Sequence, residues 1–247
     1  MQWHDEGIIL GTRRFGETSV IADVFTRGHG RAAGLVPGGV SRKISAVLQG
    51  GNSVEVVWRA RLEEHLGQFK VEPLVVRSAA LFASPLALNG FGALAALLRF
   101  LPERDPHEEL FRLMSVAVEH LADEAISPLL FIKLELMFLA AVGFGLDLSE
   151  CAATGTRDNL VYVSPKSGRA VSAAAGEPYR QKLLALPGFV RDSLAETGAL
   201  PRRVPLNDLA AGFALTEFFL NKCLFEPQGV ECPGSRRRFV ALVLQNR

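Results

Sequence analysis

Between Gly7 and Trp58 short apolar runs alternate with glycine-containing turns, and arginines gather at those turns and loops. Ile8–Leu10, Val20–Phe25, Arg31–Val36 and Ser53–Trp58 each read as a strand, because branched and aromatic residues recur between turn-forming clusters. The set predicts a small β-barrel or curled sheet. Arg27, Gly28, His29 and Gly30 predict a tight turn between two strands, since glycine reaches the positive φ that hairpin turns need. Gly50, Gly51 and Asn52 predict another. Beyond Ser84 the period changes to a helical one. Asp105 before Pro106, with Glu108 three residues on, predicts an N-cap, a proline at the first helical position and a capping-box carboxylate. Leu110, Met114, Ala117, Val118 and Leu121 then form one buried stripe. Ser127 and Pro128 open a helix that is apolar almost all round from Leu129 to Val142, which predicts a central place in a bundle. Leu209–Leu224 predicts another, stopped by Pro227 and Gly229. From Cys151 to Gly176 the pattern is irregular, with only a short strand-like run at Leu160–Val163.

Composition sharpens this division. Glycine and β-branched residues dominate before Val76, and alanine and leucine after Ser84, so a domain boundary is expected near Arg77–Ser84. The expected fold class is α+β: a β domain over residues 1–80, then a mainly α-helical domain over 81–247 interrupted by an irregular insert at about 149–178. With 49% hydrophobic residues among 247 the chain can bury a sizeable core, which excludes a disordered protein. A formal net charge of +1 excludes a global basic field, so any polyanion site must come from local clustering. Cys151, Cys223 and Cys232 form no paired spacing, which points to a reducing cytoplasm rather than a disulfide framework. Asp5 and Glu6 before a short apolar run do not read as an export signal. Leu86–Leu101 carries Asn89 and Arg99, and Leu129–Leu146 carries Lys133 and Glu135, so neither reads as a membrane span.

Four sets of residues are candidates for chemistry. The first is Arg13, Arg14, Arg31, Arg42, Lys43, Arg59 and Arg61, with Trp3, Phe15 and Trp58 near them in sequence. Cations that track phosphates beside aromatic faces suit single-stranded nucleic acid. Ordinary solvated arginines, interleaved with Asp5, Glu6, Glu17, Asp23 and Glu55, are the other open reading. Arg42 and Lys43, read as a loop after Gly38 and Gly39, are the strongest of the set. The second is Cys151. A zinc ribbon needs paired thiolates, but Thr154, Ser172 and Ala175 stand where its partners would be, so a four-cysteine site is excluded; a mixed site of Cys151, Cys223, Cys232 and a histidine is the weaker open reading, without ligand-like spacing, and a buried free cysteine is the better one. The third is catalysis: Gly28, Gly30 and Gly34 lie in a hairpin rather than at a strand-to-helix junction, and the five histidines are scattered, with His120 on a helix surface. The chain reads as a non-enzyme without a cofactor or metal. The fourth is Ser235–Arg238, which either contacts phosphate or complements a helix end and neighbouring carboxylates.

The order of features as a whole resembles the RecO family of bacterial recombination mediators. The likeness runs from Arg14–Glu17, Val24–Thr26 and Gly30 through the Gly38–Lys43 segment with Ser45, then a Leu66–Glu72 strand, the helical part, the Cys151 region and Ser235–Phe239. It implies an N-terminal OB-fold that binds single- and double-stranded DNA, annealing of complementary strands, and work with RecR and single-strand-binding protein in loading RecA. It implies a cytoplasmic, nucleoid-associated protein and no membrane. Arg14, Arg42 and Lys43 match the family's basic positions. Many members carry a zinc-binding insert around Cys151; three of its four expected cysteines are missing here, which implies a degenerate, zinc-free form. The alternative is a non-catalytic adaptor whose helical domain binds a partner's tail and whose barrel is only structural.

Overall fold

A computed structural model describes residues 1–62, 65–194 and 203–245. Five strands, β1 (Gln2–Phe15), β2 (Ser19–Thr26), β3 (Gly30–Val36), β4 (Ser53–Arg59) and β5 (Gln68–Val75), close into a barrel in the order β1-β2-β3-β5-β4. Neighbours are antiparallel except β3 and β5, which are parallel and meet at one paired position, Leu35 with Gln68. With the short helix α1 (Arg42–Val47) between β3 and β4, this is an OB-fold, and the chain is α+β. Arg42 and Lys43, expected in a loop, form the first turn of α1.

Alternate residues point into the barrel: Val20, Ala22 and Val24 of β2 and Val54, Val56 and Trp58 of β4 pack with Ile9, Leu48 and Phe69. On the other face of β2, Ile21 and Phe25 are buried as well, with Asp23 between them half-buried, and so are Ile8 and Leu10 on β1. Their cover is helical: Phe25 meets Phe111 with ring centroids 5.7 Å apart. Burial on both faces is why these strands read as unbroken apolar runs rather than alternating ones.

Helices α2 (Ser78–Ala83), α3 (Pro85–Leu98) and α4 (Glu108–His120) follow the barrel. Asn52, fully buried, joins its end to α2: its Nδ2 donates to the carbonyls of Ala46 and Val47 at 3.0 Å each, and its Oδ1 accepts from the amides of Arg77 and Ser78 at 2.9 and 3.0 Å. Helix α4 begins at Glu108, later than the Asp105–Glu108 pattern predicts. The residues of that pattern serve tertiary contacts instead, since Asp105 lies on Gly30 so closely that a Cβ there would sit 2.0 Å from its carbonyl oxygen. The chain forms two compact units, Met1–Ala122 and Asp123–Arg247. The composition shift at 77–84 coincides with α2, inside the first unit.

The second unit contains α5 (Ser127–Ala141), an irregular insert, α7 (Gly188–Leu194), α8 (Leu206–Leu220), a π-helical turn at Asn221–Phe225, α9 (Glu226–Gln228) and α10 (Gly234–Gln245). The insert holds a three-stranded sheet of order β7-β6-β8, from β6 (Leu160–Val163), β7 (Ala170–Ser172) and β8 (Leu184–Ala185), with α6 (Ala173–Gly176) between the last two. As predicted, α5 is buried almost all round, and its Phe131 stacks on Phe239 of α10 with centroids 4.3 Å apart. Glu135, fully buried in α5, takes two hydrogen bonds from Arg236, at 2.6 Å from Nε and 3.1 Å from Nη2. The carboxylate reading of the terminal basic run therefore holds for Arg236, while Arg237 is exposed. No helix among the described residues is long and apolar enough to cross a membrane.

Candidate nucleic-acid interface

The hairpin between β1 and β2 turns through Gly16, whose φ of 66° suits glycine, and leaves Arg13, Arg14 and Phe15 exposed. The next element touches this turn, because the amide of Val40 donates to the carbonyl of Thr18 at 3.3 Å. Just beyond, α1 presses Ile44 and Val47 onto the barrel core. Those two anchors, three residues apart, leave Arg42 and Lys43 on the solvent side.

Closure of the barrel then adds residues from distant parts of the chain. Arg13 pairs with Ile21, Ile21 with Leu35, Leu35 with Gln68, and Gln68 with Arg59. One row of paired positions around the barrel thus begins and ends on an arginine. Arg61 follows Arg59 in the β4–β5 connection, and the Leu35 amide donates to the carbonyl of Gly67 at the connection's far end, at 3.0 Å. A groove of about 570 Å³ opens beside this row, with Lys43, Arg59 and Lys70 at its edge and Ile44 and Phe69 in its floor. Lys70 is a member that sequence reasoning missed. Its signal was the exposed alternation Gln68, Lys70, Glu72. Lys70 pairs with Glu72 at 2.7 Å, and that hydrogen bond and charge hold the Glu72 carboxyl below its ordinary range.

Six of the seven cations expected from sequence, Arg13, Arg14, Arg42, Lys43, Arg59 and Arg61, are exposed and have no carboxylate partner among the described residues. Arg31 differs. Its side chain pairs with Asp23 and Glu103 at 3.5 Å each and donates from Nε to the Leu101 carbonyl at 3.0 Å, so its charge is used inside the first unit. The aromatics divide similarly. Phe15 is 53% exposed and free for a base to stack on, whereas Trp58 is buried in the core and Trp3 is stacked between-strand on it at 5.6 Å and on His29 at 4.2 Å.

The Cys151 region does not fit a metal. Thr154, Ser172 and Ala175 supply no thiolate, and among the described residues no group of three or more His, Cys, Asp or Glu side chains could hold an ion. The sulfur instead accepts the Ser172 amide at 3.2 Å. Burial pushes the Cys151 thiol up, but hydrogen bonds from Ser172, Thr154 and the Ala153 amide outweigh it and bring it down to about 6. A folded value below the unfolded one gives a contribution that is complete above about 8.5 and is lost as the pH falls through the folded value. Amide protection factors in β6 and β7 are accordingly expected to fall on acidification toward pH 6, and Cys151→Ala should remove that dependence. Equal dependence in wild type and variant would show that the thiolate is not involved.

The model of the recombination protein O N-terminal domain matches residues 1–75, and that of its C-terminal domain matches residues 85–229. A DNA repair protein RecO of Methylobacterium nodulans is 56% identical over 98% of both chains. Those of Beijerinckia indica and Sinorhizobium medicae are each 53% identical, over 98% and 99% of this chain and 94% and 96% of their own. On two domain models in sequence order and relatives that align end to end, this chain belongs to the RecO family.

Proposed function

We propose that this protein acts in DNA repair and recombination by binding single-stranded DNA along the cationic end of its barrel and annealing complementary strands there. The observation that carries this reading is the set of six exposed cations, without a carboxylate partner among the described residues, that barrel closure gathers around Leu35 and Val36. Two strands approaching each other repel through their phosphates, and cations presented to both reduce that repulsion while base pairing supplies the sequence selection. Phe15 adds one stacking face. The work is that of a mediator rather than a catalyst: it requires no bond to be made or broken. Double-stranded DNA would engage the same cations through its phosphates. In this reading the protein works on chromosomal DNA with RecR, and helps RecA onto strands coated by single-strand-binding protein.

The test is anisotropy of a labelled oligonucleotide over a salt series, paired with a strand-annealing assay. Binding that weakens steeply with salt and varies little with sequence is expected. Undetectable or salt-independent binding would refute the reading. A second reading, the adaptor, is favoured by a groove of about 490 Å³ in the second unit, between Gly143–Leu146 and Phe219, where Phe144 is 45% exposed and Lys222 lies at the rim. It holds the tail of single-strand-binding protein in this reading. Titration of the tail peptide into the full chain, with and without Phe144→Asp, tests it; equal binding by both would reject the groove.

A further inference from the structure

Beyond Leu35 and Gln68, β3 and β5 pair no further, and the segment between α3 and α4 lies against the edge of β3 so exposed. Glu103 forms a parallel bridge to Arg31, and the Arg104 amide donates to the Arg31 carbonyl at 2.8 Å. Arg104 has a φ of 62°, a left-handed backbone that a residue with a Cβ rarely adopts and that persists only where its surroundings fix it. That backbone carries the guanidinium to the β4–β5 connection. Its Nη2 donates to the His65 carbonyl at 2.7 Å, and its Cζ lies 5.0 Å from the centroid of the Trp58 ring. Its Nε is buried with no partner among the described residues. Trp58 holds the neighbouring residue in turn, donating from Nε1 to the Leu66 carbonyl at 3.0 Å. Gly67 lies so near the indole that a Cβ there would be 2.3 Å from Nε1.

Arg104 and Trp58 therefore grip the successive carbonyls of His65 and Leu66, one residue short of Gly67 and two short of Gln68, the residue that joins β3 to Arg59 in the row described above. A guanidinium left with a buried, unmet donor on a left-handed backbone is a poor way to fill space. It is an effective way to fix one loop. We infer that Arg104 is a positioning residue of the nucleic-acid interface: it locks His65–Gly67 just before β5, and with them the placement of Arg59, paired with Gln68, relative to Arg13 and Lys43, without itself touching DNA. The consequence for DNA rests on the function proposed above; the lock itself does not.

The chain has two tryptophans, and both lie at this lock, since Trp3 stacks on Trp58. Tryptophan emission is thus a local reporter. In the full chain, Arg104→Ala and Arg104→Gly are compared with wild type, the glycine variant because it accepts the left-handed backbone without strain. Both should show stronger acrylamide quenching of tryptophan and faster amide exchange at His65–Gly67. Both should bind oligothymidine about fivefold more weakly with an unchanged salt slope, as loosened geometry would cause. Arg104→Lys, which keeps charge but loses the planar fork, should behave like the alanine variant in quenching. Unchanged quenching and exchange in Arg104→Gly would overturn the lock. A loss of affinity with a slope lower by about 0.7 would overturn the positioning role, because it marks a direct phosphate contact. If wild type binds no oligonucleotide, the proposed function fails while quenching and exchange still decide the lock.

Discussion

Replacing Arg42, Lys43 and Arg59 together by alanine is expected to weaken binding to single-stranded DNA about a hundredfold at about 0.1 M salt, with a salt slope lower by about two. Each phosphate neutralised on a single strand contributes about 0.7 to that slope, so three contacts account for both figures. The three side chains come from α1 and β4 and all are exposed. Their removal disturbs no core contact, and the thermal midpoint should stay where it is. Annealing should fall further than binding, because two strands must be held at once. Arg31→Ala is the instructive control: Arg31 is already paired with Asp23 and Glu103, so its loss should lower stability and leave the slope intact. If the triple variant keeps the wild-type slope, DNA lies elsewhere on the protein. If Arg31→Ala changes the slope as much as the triple variant does, its ion pairs open on binding.

How much of this interface sequence reveals depends on the range of the interactions involved. Strands β2 to β4 are plain because their apolar positions are local and continuous. The length of β1 is not, since apart from Trp3 its ends, Gln2–Glu6 and Thr12–Arg14, are polar and pair only because β4 and β2 run alongside. Strand β5 was expected from family resemblance rather than from pattern, and most of its residues are exposed. Helix α1 escapes any periodicity argument: it has six residues and none is fully buried, so nothing marks Arg42 and Lys43 as helical. The row from Arg13 to Arg59 is the least local feature of all. It exists only because β3 meets β5 at Leu35 and Gln68, a register that no stretch of chain encodes by itself. Trp58 misleads for the opposite reason: an aromatic between cations suggests stacking on bases, whereas strand alternation turns it inward and Arg104 covers it. The buried acid of the second unit did leave a signal. A carboxylate in a helix otherwise apolar all round needs a cation, and the terminal arginine run supplies it.

That pair gives the largest effect expected on stability. Arg236→Ala should lower the unfolding free energy of the full chain, measured in urea, by about 3–5 kcal/mol, the range for breaking a buried ion pair from one side. Arg236 is 3% exposed, and besides Glu135 it donates to Glu217 at 2.9 Å, to the Phe213 carbonyl at 3.1 Å and to the Thr216 hydroxyl at 3.1 Å. Burial pushes the guanidinium's affinity for its proton down, but Glu135 raises it by more, so Arg236 keeps its charge throughout the stable range of the protein. Without the arginine, Glu217 is 45% exposed and can turn to water, but Glu135 cannot, and Thr216 alone remains as its donor at 2.6 Å. The double variant Glu135→Leu and Arg236→Met removes both charges and should recover most of the loss, since an apolar pair of similar volume avoids desolvation altogether. If the single and double variants lose equally, packing rather than charge is what Arg236 contributes. If the single variant loses less than about 1 kcal/mol, Glu135 reaches water and the pair is not closed. In folded protein at equal concentration the single variant should bind DNA as wild type does, because a buried guanidinium bonded to residues of α5 and α8 is out of reach of a phosphate.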